Sequence, residues 1–302
     1  MPEIPQTAAF ASVRELAKHL RAGDFSCVEL AVFFLERLKT VGAKLNAVVT
    51  VTEELAIQQA TQADHELKSS RDRGLLHGIP YGVKDLLATK GIPTSWGAAP
   101  FRDRMIDADS TVVAGLRKAG AVLIGKLAMV EIAGGLGYRQ ANASFTGPGL
   151  NPWDTSRWAG GSSSGPGAAA GGGLVPFAIG SETWGSIMTP AAFCGISGLR
   201  PTYGRVSRHG AMALAWTVDK LGPMCRTADD CGIVLNAIAG PDPTDESCVD
   251  RPYEYSSGKN SDKLQSSTRY KLATLKDAAR NVQPEVRSNY EASLNVLRNF
   301  CD

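Results

Sequence analysis

An α/β sandwich, a sheet covered by helices on both faces, is the fold class the sequence predicts, and two observations predict it. From His77 to about residue 240 short apolar runs alternate with glycine-rich turns, and helical segments lie between those runs. At 302 residues the chain is long enough to bury a substantial core. We read 1–302 as a single domain.

The first third reads as helical. From Ser26 the stretch SCVELAVFFLERLKTVG opens with a capping-box pattern, Ser26 and Glu29, and sets Leu30, Phe33, Phe34 and Leu38 at helical spacing. NAVVTV (46–51) is strand-like, and EELAIQQATQADHELK after Thr52 returns to the helical period. IPYGVKDLLA, AVLIGK, LVPFAIG and GISGL then read as strands, with STVVAGLRKAG as a helix among them. TADDCGIVLNAIAG reads as a helix with Thr227 as its N-cap and Gly240 past its end. Residues 256–267, SSGKNSDKLQSS, are polar and turn-rich, which predicts a surface loop. RYKLATL reads as a further strand, and Pro284 starts a helix whose Val286, Tyr290, Leu294 and Leu297 share one face.

Composition excludes several classes. Lys and Arg total 32 against 30 Asp and Glu, a formal net charge of +2, and no dense basic block tracks a phosphate backbone, so no nucleic acid partner is expected. The N-terminus lacks a secretory signal and no run reaches membrane-spanning length, which predicts a cytoplasmic chain with no membrane partner. The six cysteines are scattered without CxxC pairs and read as buried thiols. His19, His65 and His77 have no partners at metal spacing, and neither a metal nor another cofactor is expected.

Three segments carry candidate chemistry. AGGSSSGPGAAAGGG (159–173) and IGSETWGSIMTPA (179–191) each place a serine among glycines, where backbone and substrate can approach closely. The third is Lys84 in GIPYGVKD, an apolar run in which desolvation would lower the amine pKa toward the range of a useful base. GSSSG (161–165) fits a G-x-S-x-G elbow around Ser163, but it lacks the strand before it, and His209 is the one histidine after it. Ser163 and Ser164 read instead as turn and helix-cap serines. GAVLIGKL (120–127) imitates a phosphate loop and fails, because Leu127 follows the lysine and AVLIG reads as a strand.

Taken together, these segments resemble the amidase signature family. The resemblance continues through GPGLNPWD, FCGISGLRPTYGRVSRHG and DKLGPMCRTADD, and so covers roughly 10–300. It implies a mixed central sheet sandwiched by helices. It also implies that Ser186 is the nucleophile, Ser162 a bridging serine on a cis peptide, and Lys84 the base. The two serines stand 24 positions apart, the family's spacing. The expected activity is cleavage of a carboxamide to acid plus ammonia or amine through a Ser186 acyl-enzyme, with the turn of Thr183, Trp184 and Gly185 supplying oxyanion and substrate contacts.

Two residues of the nucleophile segment depart from the family pattern, besides Ser164 and Pro166, which replace usually glycine and small residues in the bridging segment. Trp184 stands where the family has a glycine, which predicts strain in the turn if a positive φ is needed there. Met188 stands where it has an arginine, which removes a partner for a substrate carboxylate. The loss of the arginine favours an apolar or aromatic small-molecule amide as substrate, and Trp184 either reshapes the acyl pocket or impairs the oxyanion turn. Members of the family run on past residue 302, so the domain is expected to be C-terminally incomplete, with a sheet edge or apolar patch left exposed. Two rival readings follow. One is a degenerate or fragmentary amidase-like protein; the other is the A subunit of a tRNA-dependent amidotransferase, which shares the RPTYGRVSRHG-like segment and Asp219.

Overall fold

Capping boxes set the first two helices. Ser12 and Ser26 each accept the amide three residues on, and Glu15 and Glu29 reach back to the serine amides, opening α1 (Val13–Ala22) and α2 (Cys27–Arg37). The structure, a computed structural model, describes residues 4–134, 140, 143–251, 253–255 and 271–301. It falls into two units, Met1–Tyr255 and Ser256–Asp302.

In the first unit the chain continues through β1 (Val48–Val51), α3 (Glu53–Lys68), β2 (Pro80–Lys84), α4 (Thr111–Lys118), β3 (Val122–Leu127) and α5 (Ser164–Gly171). After these come β4 (Phe177–Glu182), α6 (Met188–Cys194), β5 (Ser197–Gly198), β6 (Lys220–Cys225) and α7 (Ala228–Ile238). Thr227 caps α7 by accepting the Asp230 amide, as its position predicts. The strands form one mixed sheet in the order β1-β3-β2-β4-β6-β5. The pairs β3/β2 and β2/β4 are parallel, and the pairs at either side are antiparallel. Every residue of β2, β3 and β4 is buried. Because successive side chains point to opposite faces, both faces of this parallel centre are covered, which is the predicted sandwich.

Helix α5 is buried all round, and its small side chains let it lie against the sheet. Gly165 shows how closely: a Cβ there would stand 2.3 Å from the Ala128 amide nitrogen and 2.5 Å from the Ala47 carbonyl. The segment that leads into α5 is thus held onto the end of β3 by backbone contact, with the Gly165 amide donating to the Ala128 carbonyl at 2.8 Å.

Lys126, the lysine of the phosphate-loop imitation, lies within β3 and is fully buried 3.1 Å from Asp85, also fully buried. Its Nζ donates to the Leu87 carbonyl and the Thr94 hydroxyl, while Ser95 donates its amide and hydroxyl to the other Asp85 oxygen. Among the described residues the Asp85 oxygen facing Lys126 has no hydrogen-bond donor, so the ion pair is its compensation. Lys126→Ala strands that charge in the core and should cost about 3–5 kcal/mol of stability. Urea unfolding of the variant measures it; a midpoint equal to wild type would show that Asp85 is satisfied without the lysine.

Cys27, Cys194, Cys225 and Cys231 are buried thiols, and Cys248 and Cys301 are partly exposed. His77 is buried beside Glu66, and His19 lies at the surface against Asp24. In the second unit residues 271–275 have no regular structure, which corrects the strand read in RYKLATL; Arg269, Tyr270 and the 256–267 loop lie outside the described residues. The helix expected from Pro284 is present as α8 (Pro284–Leu297), and none of its residues is buried among the described ones.

Candidate active site

The candidate residues converge where β2 and β4 end. Lys84 is the last residue of β2, fully buried, and its Nζ donates to the Ser162 hydroxyl at 2.7 Å and to the Ser181 hydroxyl of β4 at 2.9 Å. Burial pushes its pKa down to about 7, against the opposing pull of the Asp219 and Glu182 carboxylates. A lysine at that value is a mixture of ammonium and free amine near neutrality, which is what a base in this position requires.

Ser162 follows a cis peptide from Gly161, the conformation the resemblance implies for its bridging serine. It is fully buried, and its carbonyl accepts the Val130 amide at 3.0 Å. Ser163 is a correction. It stands at the N-cap position of α5 but makes no cap hydrogen bond there. Its hydroxyl instead donates to the Ser181 carbonyl at 3.1 Å and accepts the Ser181 amide at 3.2 Å, stitching the serine segment to β4.

Ser186 lies in the turn from β4 to α6, nearly buried, and its carbonyl accepts the Ser163 amide at 3.3 Å. Backbone contact therefore holds the Ser186 turn against the segment that carries Ser162. Glu182 sets the shape of this turn. One of its carboxylate oxygens accepts the Ile187 and Met188 amides at 2.8 and 2.9 Å, and Arg200 lies 3.3 Å from the other. Burial raises the Glu182 pKa, but the amides of Met188, Ile187 and Gly185, with Arg200, outweigh it and hold the carboxyl below its ordinary value.

The turn resolves the question raised by Trp184. The positive φ falls at Gly185, at 99°, and Trp184 takes no positive φ, so the tryptophan replaces a glycine at a position that does not need one. Trp184 is 85 % exposed. Met188 opens α6 and is about half exposed.

Sequence reasoning singled out Lys84, Ser162, Ser186, Thr183, Trp184 and Gly185, and it missed Ser181 and Glu182. Both stand in the same IGSETWGS segment, but their roles depend on a neighbouring strand and on the fold of the turn. Among the described residues no group of three or more His, Cys, Asp or Glu side chains is arranged to hold a metal ion.

Comparison with known proteins gives a consistent picture. The family model described as Amidase matches residues 29–300. The A subunit of the Glutamyl-tRNA(Gln) amidotransferase of Methylococcus capsulatus is 46% identical over 241 residues, which are 80% of this chain and 49% of that protein. The corresponding A subunit of Chromohalobacter salexigens is 47% identical over 240 residues, with the same coverage. This chain thus spans about half the length of the curated relatives it matches. Among solved structures, native peptide amidase from Stenotrophomonas maltophilia superposes with a TM-score of 0.83 at 31% identity, over 98% of this chain and 62% of that one. The A subunit of the Glutamyl-tRNA(Gln) amidotransferase from Thermotoga maritima superposes with a TM-score of 0.82 at 28% identity, over 99% of this chain and 62% of that one.

Proposed function

The chain belongs to the amidase family, and from that premise we propose that it cleaves amide C–N bonds through an acyl-enzyme on Ser186. The observation that carries the reading is the fully buried Lys84 amine, 2.7 Å from the Ser162 hydroxyl and lowered to a pKa of about 7. Neutral Lys84 takes the Ser162 proton as Ser162 takes the Ser186 proton, and the Ser186 oxygen attacks the amide carbonyl. The tetrahedral oxyanion is met by backbone N–H groups of the Thr183–Ser186 turn other than that of Gly185, which Glu182 holds, and one well-placed donor is typically worth about 3 kcal/mol. The relay then runs in reverse, protonating the departing nitrogen, and water repeats the attack to free the acid. We treat 1–302 as one catalytic domain for this chemistry, with no cofactor in the scheme.

The finer reading that the relatives support is an amidotransferase A subunit, given their 46% and 47% identity. In that role the chain releases ammonia from an amide donor, works with partner subunits and serves a charged tRNA in the cytoplasm. Among the described residues no helix is long and apolar enough to cross a membrane, which is compatible with that location. One observation favours the second reading, a stand-alone amidase acting on an apolar or aromatic amide. Met188 occupies the place of the arginine that would pair with a glutamine carboxylate, and the exposed Trp184 indole stands near it in sequence. Ammonia release decides between them. Glutamine hydrolysis that rises with glutamyl-tRNA supports the amidotransferase role, whereas hydrolysis of an aromatic carboxamide with glutamine untouched supports the stand-alone enzyme. Release from neither, on a folded chain that no fluorophosphonate labels, would leave the degenerate homologue.

A further inference from the structure

Strand register brings a second carboxylate to the nucleophile turn. In the antiparallel pair of β4 and β6, Glu182 lies opposite Lys220, so the next step outward sets Thr183 against Asp219. The Thr183 hydroxyl donates to one oxygen of the nearly buried Asp219. The other oxygen accepts the amides of Leu214 and Ala215 at 2.6 and 3.0 Å. Thr183 is held a second time, because Lys220 Nζ donates to its carbonyl at 3.3 Å. One carboxylate therefore grips both the turn that carries Ser186 and the loop before β6.

That loop has its own support. The Trp216 carbonyl accepts from the Tyr203 hydroxyl at 3.0 Å and from Arg208. The Arg208 guanidinium lies 5.0 Å from the Tyr203 ring and 4.8 Å from the Trp216 ring, so Trp216 is braced although its indole is 70 % exposed. The loop presents Leu214, Trp216 and Val218 as an apolar edge. Its geometry reaches the turn through Asp219.

We propose that Asp219 is a positioning residue for the reaction, locking the Thr183–Ser186 turn and the 214–218 loop into one rigid piece so that the oxyanion donors and this apolar edge keep a fixed relation. The proposal rests on the Ser186 acyl-enzyme reading above. Asp219 acts through Thr183 and touches no reacting atom. It also has an electrostatic consequence that packing alone would lack. The polar groups that face Lys84 are the Ser162 and Ser181 hydroxyls, and its charged neighbours are Asp219 and Glu182, both of which favour the ammonium form. Removing the Asp219 charge leaves Glu182 to oppose burial, and the free amine then forms at lower pH.

The test is the second-order rate of fluorophosphonate labelling, followed by intact mass across the neutral pH range, for wild type, Asp219→Asn, Thr183→Val and Thr183→Ser. Thermal melts provide the folding check. Asn removes the charge while its Oδ1 can still accept the Leu214 and Ala215 amides and its N–H₂ can meet the Thr183 hydroxyl, so it isolates the electrostatic effect; Val deletes the hydroxyl while leaving the Asp219 charge. Thr183→Val should slow labelling about 10–100-fold, the scale of a displacement of roughly 1 Å at a reacting group. The rising limb of the pH profile should move to lower pH in Asp219→Asn and stay in place in Thr183→Val, and Thr183→Ser should return to within a few-fold of wild type. Thr183→Val labelling at the wild-type rate would overturn the proposal, and so would Asp219→Asn with an unmoved limb. If Asp219→Asn fails to fold, the Thr183 pair decides alone. Absence of label on folded wild type is a different result, because it removes the Ser186 reading and this inference with it.

Discussion

Ser186→Ala is expected to remove acylation altogether: a fluorophosphonate that adds one adduct mass to the wild-type chain should add none to the variant, and amide turnover should fall by about 10⁴-fold or more. The substitution deletes one oxygen from a nearly buried side chain. It leaves the backbone contact that seats the turn, because the Ser163 amide donates to the residue 186 carbonyl and not to its side chain. The Glu182 grip on the Ile187 and Met188 amides is also untouched. The loss is therefore chemical, and the variant should melt close to wild type. A label that persists in Ser186→Ala would place the nucleophile elsewhere. Absence of label on the folded wild-type chain would favour the degenerate reading.

Lys84→Met should reduce labelling nearly as far while raising stability, a combination that separates loss of a base from misfolding. In the wild type, labelling should climb with pH through a midpoint near 7 and level off above it, following the free amine. A lysine at its ordinary 10.5 would leave the rate still rising well into the alkaline range. The variant should have no such limb. For stability the sign is fixed by linkage. The folded-state pKa lies below the unfolded one, so between about 7 and 10.5 the unfolded chain binds more protons and stability rises with pH. The penalty from Lys84 is absent above 10.5 and complete below 7. Methionine keeps the apolar bulk without that penalty, so its urea midpoint should exceed that of wild type at about pH 6 and converge on it in strong alkali. A variant less stable than wild type under those acidic conditions would show that the amine is satisfied as a cation by its neighbours.

The parts of the fold that could be read in advance are those whose signal is local. The Ser26 and Glu29 capping box, the Thr227 cap and the apolar runs of β2, β3 and β4 all became the elements they suggest. The box formed by Ser12 and Glu15 is the same signal, and attention to it would have found α1. Helix α5 has no such mark. A helix buried all round has no polar face to create periodicity, and the close approach to the sheet selects the small residues of SGPGAAAG, which carry no apolar stripe. Strand β6 was obscured by Pro223, which forfeits an amide that a strand between two others would ordinarily use.

The candidate site divides in the same way. Lys84, Ser162 and Ser186 stand in segments whose composition betrays them, and the family spacing joins them across the chain. Ser181, Glu182 and the grip of Asp219 are products of register: which hydroxyl meets Lys84, and which carboxylate meets Thr183, depends on how β4 pairs with β2 and β6. No window of sequence contains that information.

Trp184 gives the nucleophile turn an optical property. An indole open to water emits at long wavelength and is accessible to dissolved quenchers, and this one stands two residues from Ser186. Anything that settles over the turn must desolvate it, moving the emission toward the blue and shielding it from collision. Trp153 and Trp216 are exposed as well, so in a Ser186→Ala chain whose other four tryptophans are replaced by phenylalanine the turn reports its own occupancy without a label, and amides that bind but are not consumed can be ranked by spectroscopy.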